Sequence, residues 1–84
     1  MYLKIVTKIE NGHANQDGDL LYDDNVEMYE CNHIDLDNLG GGEMKLIIHF
    51  NDKSIEKIFN RDFPGLVNLY LMSDEGRTID KYRI

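Results

Sequence analysis

Apolar residues recur at every second position through most of this chain, the period of a strand with one buried face rather than of a helix. Leu3, Ile5, Thr7 and Ile9 alternate with Lys4, Val6 and Lys8, which predicts a half-buried strand over residues 2–9, ended by the turn-forming pair Asn11-Gly12. Met44, Leu46, Ile48 and Phe50 alternate with Lys45, Ile47 and His49, the cleanest strand pattern in the sequence. Val67, Leu69 and Leu71 mark an inward-facing set within residues 66–72, and residues 78–84 return after the hairpin loop Ser73-Asp74-Glu75-Gly76. The buried set expected of this half is Leu46, Ile48, Phe50, Val67, Leu69 and Leu71.

Between these strands the pattern is less regular. Residues 13–25 are dominated by Asn, Gln, Asp and Gly and predict a loop, interrupted by Leu20, Leu21 and Tyr22, which pin it onto the core or form a short strand. Over residues 26–36, Val26, Met28, Ile34 and Leu36 share one parity while Glu30 and Asn32 break it, so a β-bulge or a strand end near Glu30 is required. Gly40-Gly41-Gly42 is a permissive connection and Asn51-Asp52-Lys53 a tight turn. Residues 54–60 fit two periods. Ile55, Ile58, Phe59 and Phe63 lie on one helical face, whereas Ile55, Lys57 and Phe59 alternate as in a strand. The short preceding turn and the β-branched content favour a hairpin with the strand before it. Asp62-Phe63-Pro64-Gly65, with Pro and then Gly at its centre, suits a type II turn. The pattern predicts one domain over residues 1–84, mainly β: a small antiparallel sheet of five or six strands, barrel- or sandwich-like, with at most one short helix.

Composition narrows the class. A chain of 84 residues holds one modest core, and 42% hydrophobic with 30% charged residues is a globular composition. No run approaches the roughly 20 apolar residues of a membrane helix. Residues 1–10 lack the apolar core and cleavage site of a signal peptide. Cys31, the single cysteine, leaves no intramolecular disulfide. These features predict a soluble, cytoplasmic protein. Asn, Ile, Lys and Tyr supply 28 residues and Ala one, a usage that points to an AT-rich coding genome such as a low-GC bacterium or its mobile elements.

Charge changes the picture most. The formal net charge is -7, which disfavours general affinity for nucleic acid or anionic membranes. The imbalance is local. From Ile9 to Met44 there is no Lys or Arg, while Glu10, Asp17, Asp19, Asp23, Asp24, Glu27, Glu30, Asp35, Asp37 and Glu43 all fall within it. Residues 45–84 mix seven basic with six acidic residues.

Four motifs bear on chemistry, and none has the full pattern its chemistry needs. His13-Ala14-Asn15-Gln16-Asp17-Gly18-Asp19-Leu20, with Asp24 further on, resembles a degraded EF-hand calcium loop, but His stands at the first ligand position, the last acid is Asp, and no helices flank it. Cys31, His33 and His49 would make a zinc site if they converged, and nothing in their spacing requires it. Gly40-Gly41-Gly42 is followed by Glu43 and a strand, the wrong setting for phosphate. The pairs Asp17/Asp19, Asp23/Asp24 and Asp35/Asp37 lack the volume for a catalytic cleft in so short a chain. No catalytic residue, metal ligand or cofactor is assigned from the sequence.

The acidic stretch remains. A one-signed field steers a basic partner, and acids at i and i+2 on a strand stand about 7 Å apart, a spacing able to occupy alternate phosphate sites of a nucleic-acid-binding groove. In size and charge the chain resembles the small acidic inhibitors of phages and mobile elements, anti-CRISPR and anti-restriction proteins among them. That resemblance implies a non-enzymatic protein-binding module that blocks a host nucleic-acid-binding protein. The expected contacts are Asp17, Asp19, Asp23, Asp24, Glu27 and Glu30, with Tyr22 and Tyr29 as aromatic anchors. The alternatives are a small metal- or ligand-binding domain and a self-assembling structural subunit.

Overall fold

The structure, a computed structural model, describes residues 1–60 and 66–84. Within them the chain forms seven strands and no helix: β1 Tyr2–Ala14, β2 Leu20–Glu30, β3 His33–Gly40, β4 Glu43–His49, β5 Ser54–Asn60, β6 Val67–Met72 and β7 Thr78–Arg83. They build two antiparallel sheets, a four-stranded one ordered β2-β1-β6-β7 and a three-stranded one ordered β3-β4-β5. No helix of the described residues is long and apolar enough to cross a membrane.

The predicted β fold is what forms, with more strand than expected. Asn11-Gly12 does not end β1. Gly12 takes a φ of +80°, and three residues, 11–13, stand opposite Leu21 alone, so the pair makes a bulge and the strand runs on to Ala14. Residues 20–25, expected in a loop, are the first half of β2 for the same reason: the ladder resumes at Ala14 and Leu20 beyond the bulge. Residues 54–60 are the strand favoured over the helix, and Phe50 N–H donates to the Lys53 carbonyl at 2.8 Å to close the turn before it. Gly40, Gly41 and Gly42 all have φ between +60° and +80°, a run only glycine adopts without strain. The turn expected at Asp62-Phe63-Pro64-Gly65 lies outside the described residues.

The core is one apolar layer between the sheets. Leu3 and Ile5 of β1, Leu69 of β6, and Leu46 and Ile48 of β4 are fully buried, and Cys31, Val67 and Ile84 close the margins. Register explains the choice. Ile5 lies opposite Leu69 and Leu3 opposite Leu71, so the central strands of the larger sheet turn their apolar residues to the same side. Phe50 and Leu71, expected inside, are half-buried at the periphery, where Phe50 ends a strand at a turn and Leu71 faces Asp80 of the edge strand β7.

The chain passes between sheets in two residues. Cys31 N–H donates to the Met1 carbonyl at 2.9 Å beside β1, and Asn32 N–H donates to the His49 carbonyl at 2.8 Å on β4. This is the strand end near Glu30 that the sequence required. Leu69→Ala empties the centre of the layer and is expected to cost about 2–5 kcal/mol in urea unfolding. A loss under about 1 kcal/mol would mean that the site is not a filled core.

Candidate functional site

β6 stops beside the middle of β1: Thr7 faces Val67, and Lys8 N–H donates to the Leu66 carbonyl at 2.7 Å. Beyond that point β1 and β2 continue as a two-stranded hairpin, with no third strand over them among the described residues. At about 3.3 Å per residue, its outer half projects about 20 Å. The radius of gyration, 14.5 Å, exceeds the roughly 12 Å of a compact chain this long, as a projecting arm requires. From Lys8 to Val26 every residue but Asn11 is exposed.

At the tip, Asn15 organises the turn. Its Oδ1 accepts the N–H groups of Asp17 and Asp19 at 2.9 and 3.0 Å, and Gly18 adopts a φ of +84°. The Asp17 and Asp19 side chains therefore stand on an exposed turn. Asp24, the last acid of the calcium-loop comparison, is instead on β2 at the root of the arm, paired with Lys8 at 2.7 Å. The side-chain oxygen of Asn15, a ligand position in that comparison, is committed to backbone amides.

Of the partner residues expected from the sequence, the arm gathers Asp17, Asp19, Tyr22, Asp23 and Asp24. Glu30 is exposed at the far end of β2, next to the crossing into the second sheet. Glu27 and Tyr29 turn the other way. In register with β1, Glu27 lies opposite Ile5 and Tyr29 opposite Leu3, so both share the inward face, and their neighbours of the other parity, Val26 and Met28, are the ones pushed out. The acidic run is thus one stretch in sequence but not one surface. Five of its acids line the arm, Glu27 lies between the sheets, and Asp35, Asp37 and Glu43 belong to the three-stranded sheet.

Acidity is half of the arm's character. Ile9, Leu20, Leu21 and Tyr22 are 51%, 50%, 41% and 43% exposed, and Val26 and Met28 at its root are 51% and 53% exposed. Leu20, Tyr22, Val26 and Met28 alternate along β2 and share the face away from the core. β2 is also an edge strand, with no strand beyond it among the described residues. Of these positions only Tyr22 was expected at a contact surface. Their signal was the Leu20-Leu21-Tyr22 cluster inside an Asn- and Asp-rich stretch.

The inward Glu27 forms a clasp between the sheets. Lys57 of β5 reaches Glu27 Oε2 at 3.1 Å, and the Tyr29 hydroxyl donates to the same oxygen at 2.7 Å. The Lys57 ammonium also lies 5.8 Å from the Tyr29 ring centroid, and Tyr29 meets Phe50 edge-on at 6.4 Å. The hydrogen bond from Tyr29, then Lys57, holds the Glu27 carboxyl below its ordinary value of 4.5. The bond to Glu27 raises the Lys57 ammonium above 10.5 and the Tyr29 phenol above 10.0.

The other candidates fall apart or regroup. Cys31 is buried, and burial pushes its thiol upward, which keeps it protonated and unreactive at neutral pH. Gly40-Gly41-Gly42 turns from β3 into β4 with no helix following. His33 and His49 do come together, on the outer face of the three-stranded sheet, with Asp35 rather than Cys31 as their neighbour. No protein-family model, curated protein or solved structure matches the chain.

The clasp has a pH signature. Glu27 is lowered, so its stabilisation is complete above about pH 4.5 and is lost as pH falls through its depressed folded value. Lys57 is raised, so its share is complete below about pH 10.5 and is lost only as pH rises through the raised value. Glu27→Gln is expected to cost about 1 kcal/mol at pH 7 after solvent screening. In urea titrations at pH 7 and at an acid pH below 4.5, that difference from wild type should shrink at the lower pH, as Glu27 takes up its proton. An equal difference at both pH values would show that the charge on Glu27 contributes nothing.

Proposed function

We propose that this chain is a non-enzymatic protein-binding module whose β1–β2 arm docks on a basic protein surface. One observation carries the reading: the arm presents its carboxylates together with half-exposed Ile9, Leu20, Leu21 and Tyr22, and the described residues place nothing over them. A segment kept acidic for solubility alone has no use for large apolar side chains at its surface. A contact surface uses both, the charges for steering and register and the apolar and aromatic groups for affinity. A two-stranded hairpin is also marginal by itself in water, so a partner that covers it adds order as well as contact.

The contact set in this reading is Asp17, Asp19, Tyr22 and Asp23, extended by Ile9 and Leu20. Asp24 is offset by Lys8, and Glu27 and Tyr29 serve the clasp. In its narrower form the partner is a nucleic-acid-binding protein and the chain an inhibitor of the phage or mobile-element kind, working in the host cytoplasm. The coding bias supports this form. A second reading, self-assembly, is favoured by the larger sheet's two edges: β2 bears Asp23, Asp24 and Glu30, while β7 bears Lys81 and Arg83. Joined edge to edge, such strands extend a sheet from copy to copy.

Reversal of Asp17, Asp19 and Asp23 to Lys is expected to leave the fold intact and to slow association with a partner captured on the wild-type protein. Wild-type association should weaken with salt, since exposed charges are screened over about 8–10 Å. Association kinetics at low and high salt test this. An unchanged on-rate without salt dependence removes the support for a charged docking arm. Concentration-dependent growth in sedimentation of the wild type, abolished by the same reversal, would favour self-assembly instead.

A further inference from the structure

The outer face of the three-stranded sheet carries three metal-ligating side chains in one patch. His33 of β3 and His49 of β4 stand directly opposite in the ladder, and their rings stack 4.1 Å apart at 11°. Asp35 lies two residues along β3 on the same face, with Oδ2 2.7 Å from His49 Nε2. A ligand atom from each of the three lies within 4.8 Å of the others. His33 and Asp35 are exposed and His49 is half-buried, so the patch is open to solvent.

We propose that His33, His49 and Asp35 form a binding site for a divalent first-row transition ion of the zinc class. The donor set is two imidazoles and one carboxylate, which suits zinc, cobalt, nickel or copper and not calcium or magnesium, whose sites are built from oxygen. Tetrahedral zinc with bonds of 2.0–2.2 Å wants ligand atoms about 3.3 Å apart. The Asp35–His49 contact, at 2.7 Å, lies within about 0.6 Å of that separation, and small turns of the side chains open it and bring His33 in. Both strands are hydrogen-bonded partners, so the platform that carries the ligands is fixed. An ion entering the patch takes the place of the hydrogen between Nε2 and Oδ2: Nε2 gives its lone pair to the metal, and Nδ1 carries the ring hydrogen. Three protein ligands leave a further coordination position for water.

Cys31 cannot join this set. It has the parity of His33 in sequence, but the crossing at residues 31–32 separates them, leaving the thiol in the core and the imidazole outside. The site lies in the other sheet from the arm and does not depend on the docking reading.

The test is isothermal titration of the metal-free full chain with zinc chloride, paired with the visible spectrum of the cobalt-loaded protein. The expected result is one zinc per chain, with affinity lowered more than about tenfold in each of His33→Ala and His49→Ala and lowered in Asp35→Asn. The cobalt absorption should be lost in both histidine variants. His13→Ala and Cys31→Ser should bind as wild type, and calcium and magnesium should give no saturable signal. His33 is exposed, so His33→Ala keeps the test decisive even if His49→Ala unfolds; circular dichroism checks both. Absence of saturable zinc binding by the wild type overturns the proposal. So does wild-type affinity in His33→Ala, or loss of binding in His13→Ala.

Discussion

A single layer of fully buried side chains, Leu3, Ile5 and Leu69 from one sheet against Leu46 and Ile48 from the other, holds the two sheets face to face. All five come from β1, β4 and β6, the inner strands of their sheets. The rest of the molecule is arranged around that contact. Strands outside it, β7 and the outer half of β2, keep every residue exposed. With so few buried groups, the layer sets a limit on how much chain the domain can cover, and the β1–β2 arm lies beyond that limit.

Polar contacts fasten the margin of the layer. Glu27, Tyr29 and Lys57 join β2 to β5 where the apolar packing thins out, and the Tyr29 ring completes the join by lying against Phe50. Such a group gives direction that apolar contact lacks, because Glu27 Oε2, held by Tyr29 of its own strand, meets the Lys57 ammonium only when β5 stands within reach of it. It also turns Glu27 and Tyr29 toward the second sheet, away from the outer face of β2. Apart from Glu30, the acids of the Ile9–Met44 run left outside are divided between the arm and the outer face of the smaller sheet. On that face Asp35 acquires two imidazoles as neighbours, and on the arm the acids acquire apolar ones. The same residue type thus fastens the sheets and, in the two proposals, contributes to a docking surface and to a ligand set, according to the side of the sheet it reaches.

The period of the sequence determined the β class, the inner part of β1, the strands β4, β6 and β7, the glycine turn and the buried quartet Leu46, Ile48, Val67 and Leu69, because alternation and left-handed turn residues are local signals, while the short turn before β5 and its β-branched content favoured a strand there. It determined the acidic imbalance as well. Only the tertiary structure decided the parity of β2, where Val26 and Met28 face out and Glu27 and Tyr29 face in. Pairing register with β1 fixes that, and a strand apolar on one parity reads the same whichever face is buried. Only the tertiary structure turned residues 13–25 from a loop into an arm, since a bulge at Gly12 restores a ladder that composition conceals. Only the tertiary structure set His33 beside His49, sixteen positions apart in the chain, and sent Cys31 elsewhere. Spacing along a sequence describes one strand at a time, while a site built across a sheet depends on which strands pair and where the chain crosses between layers.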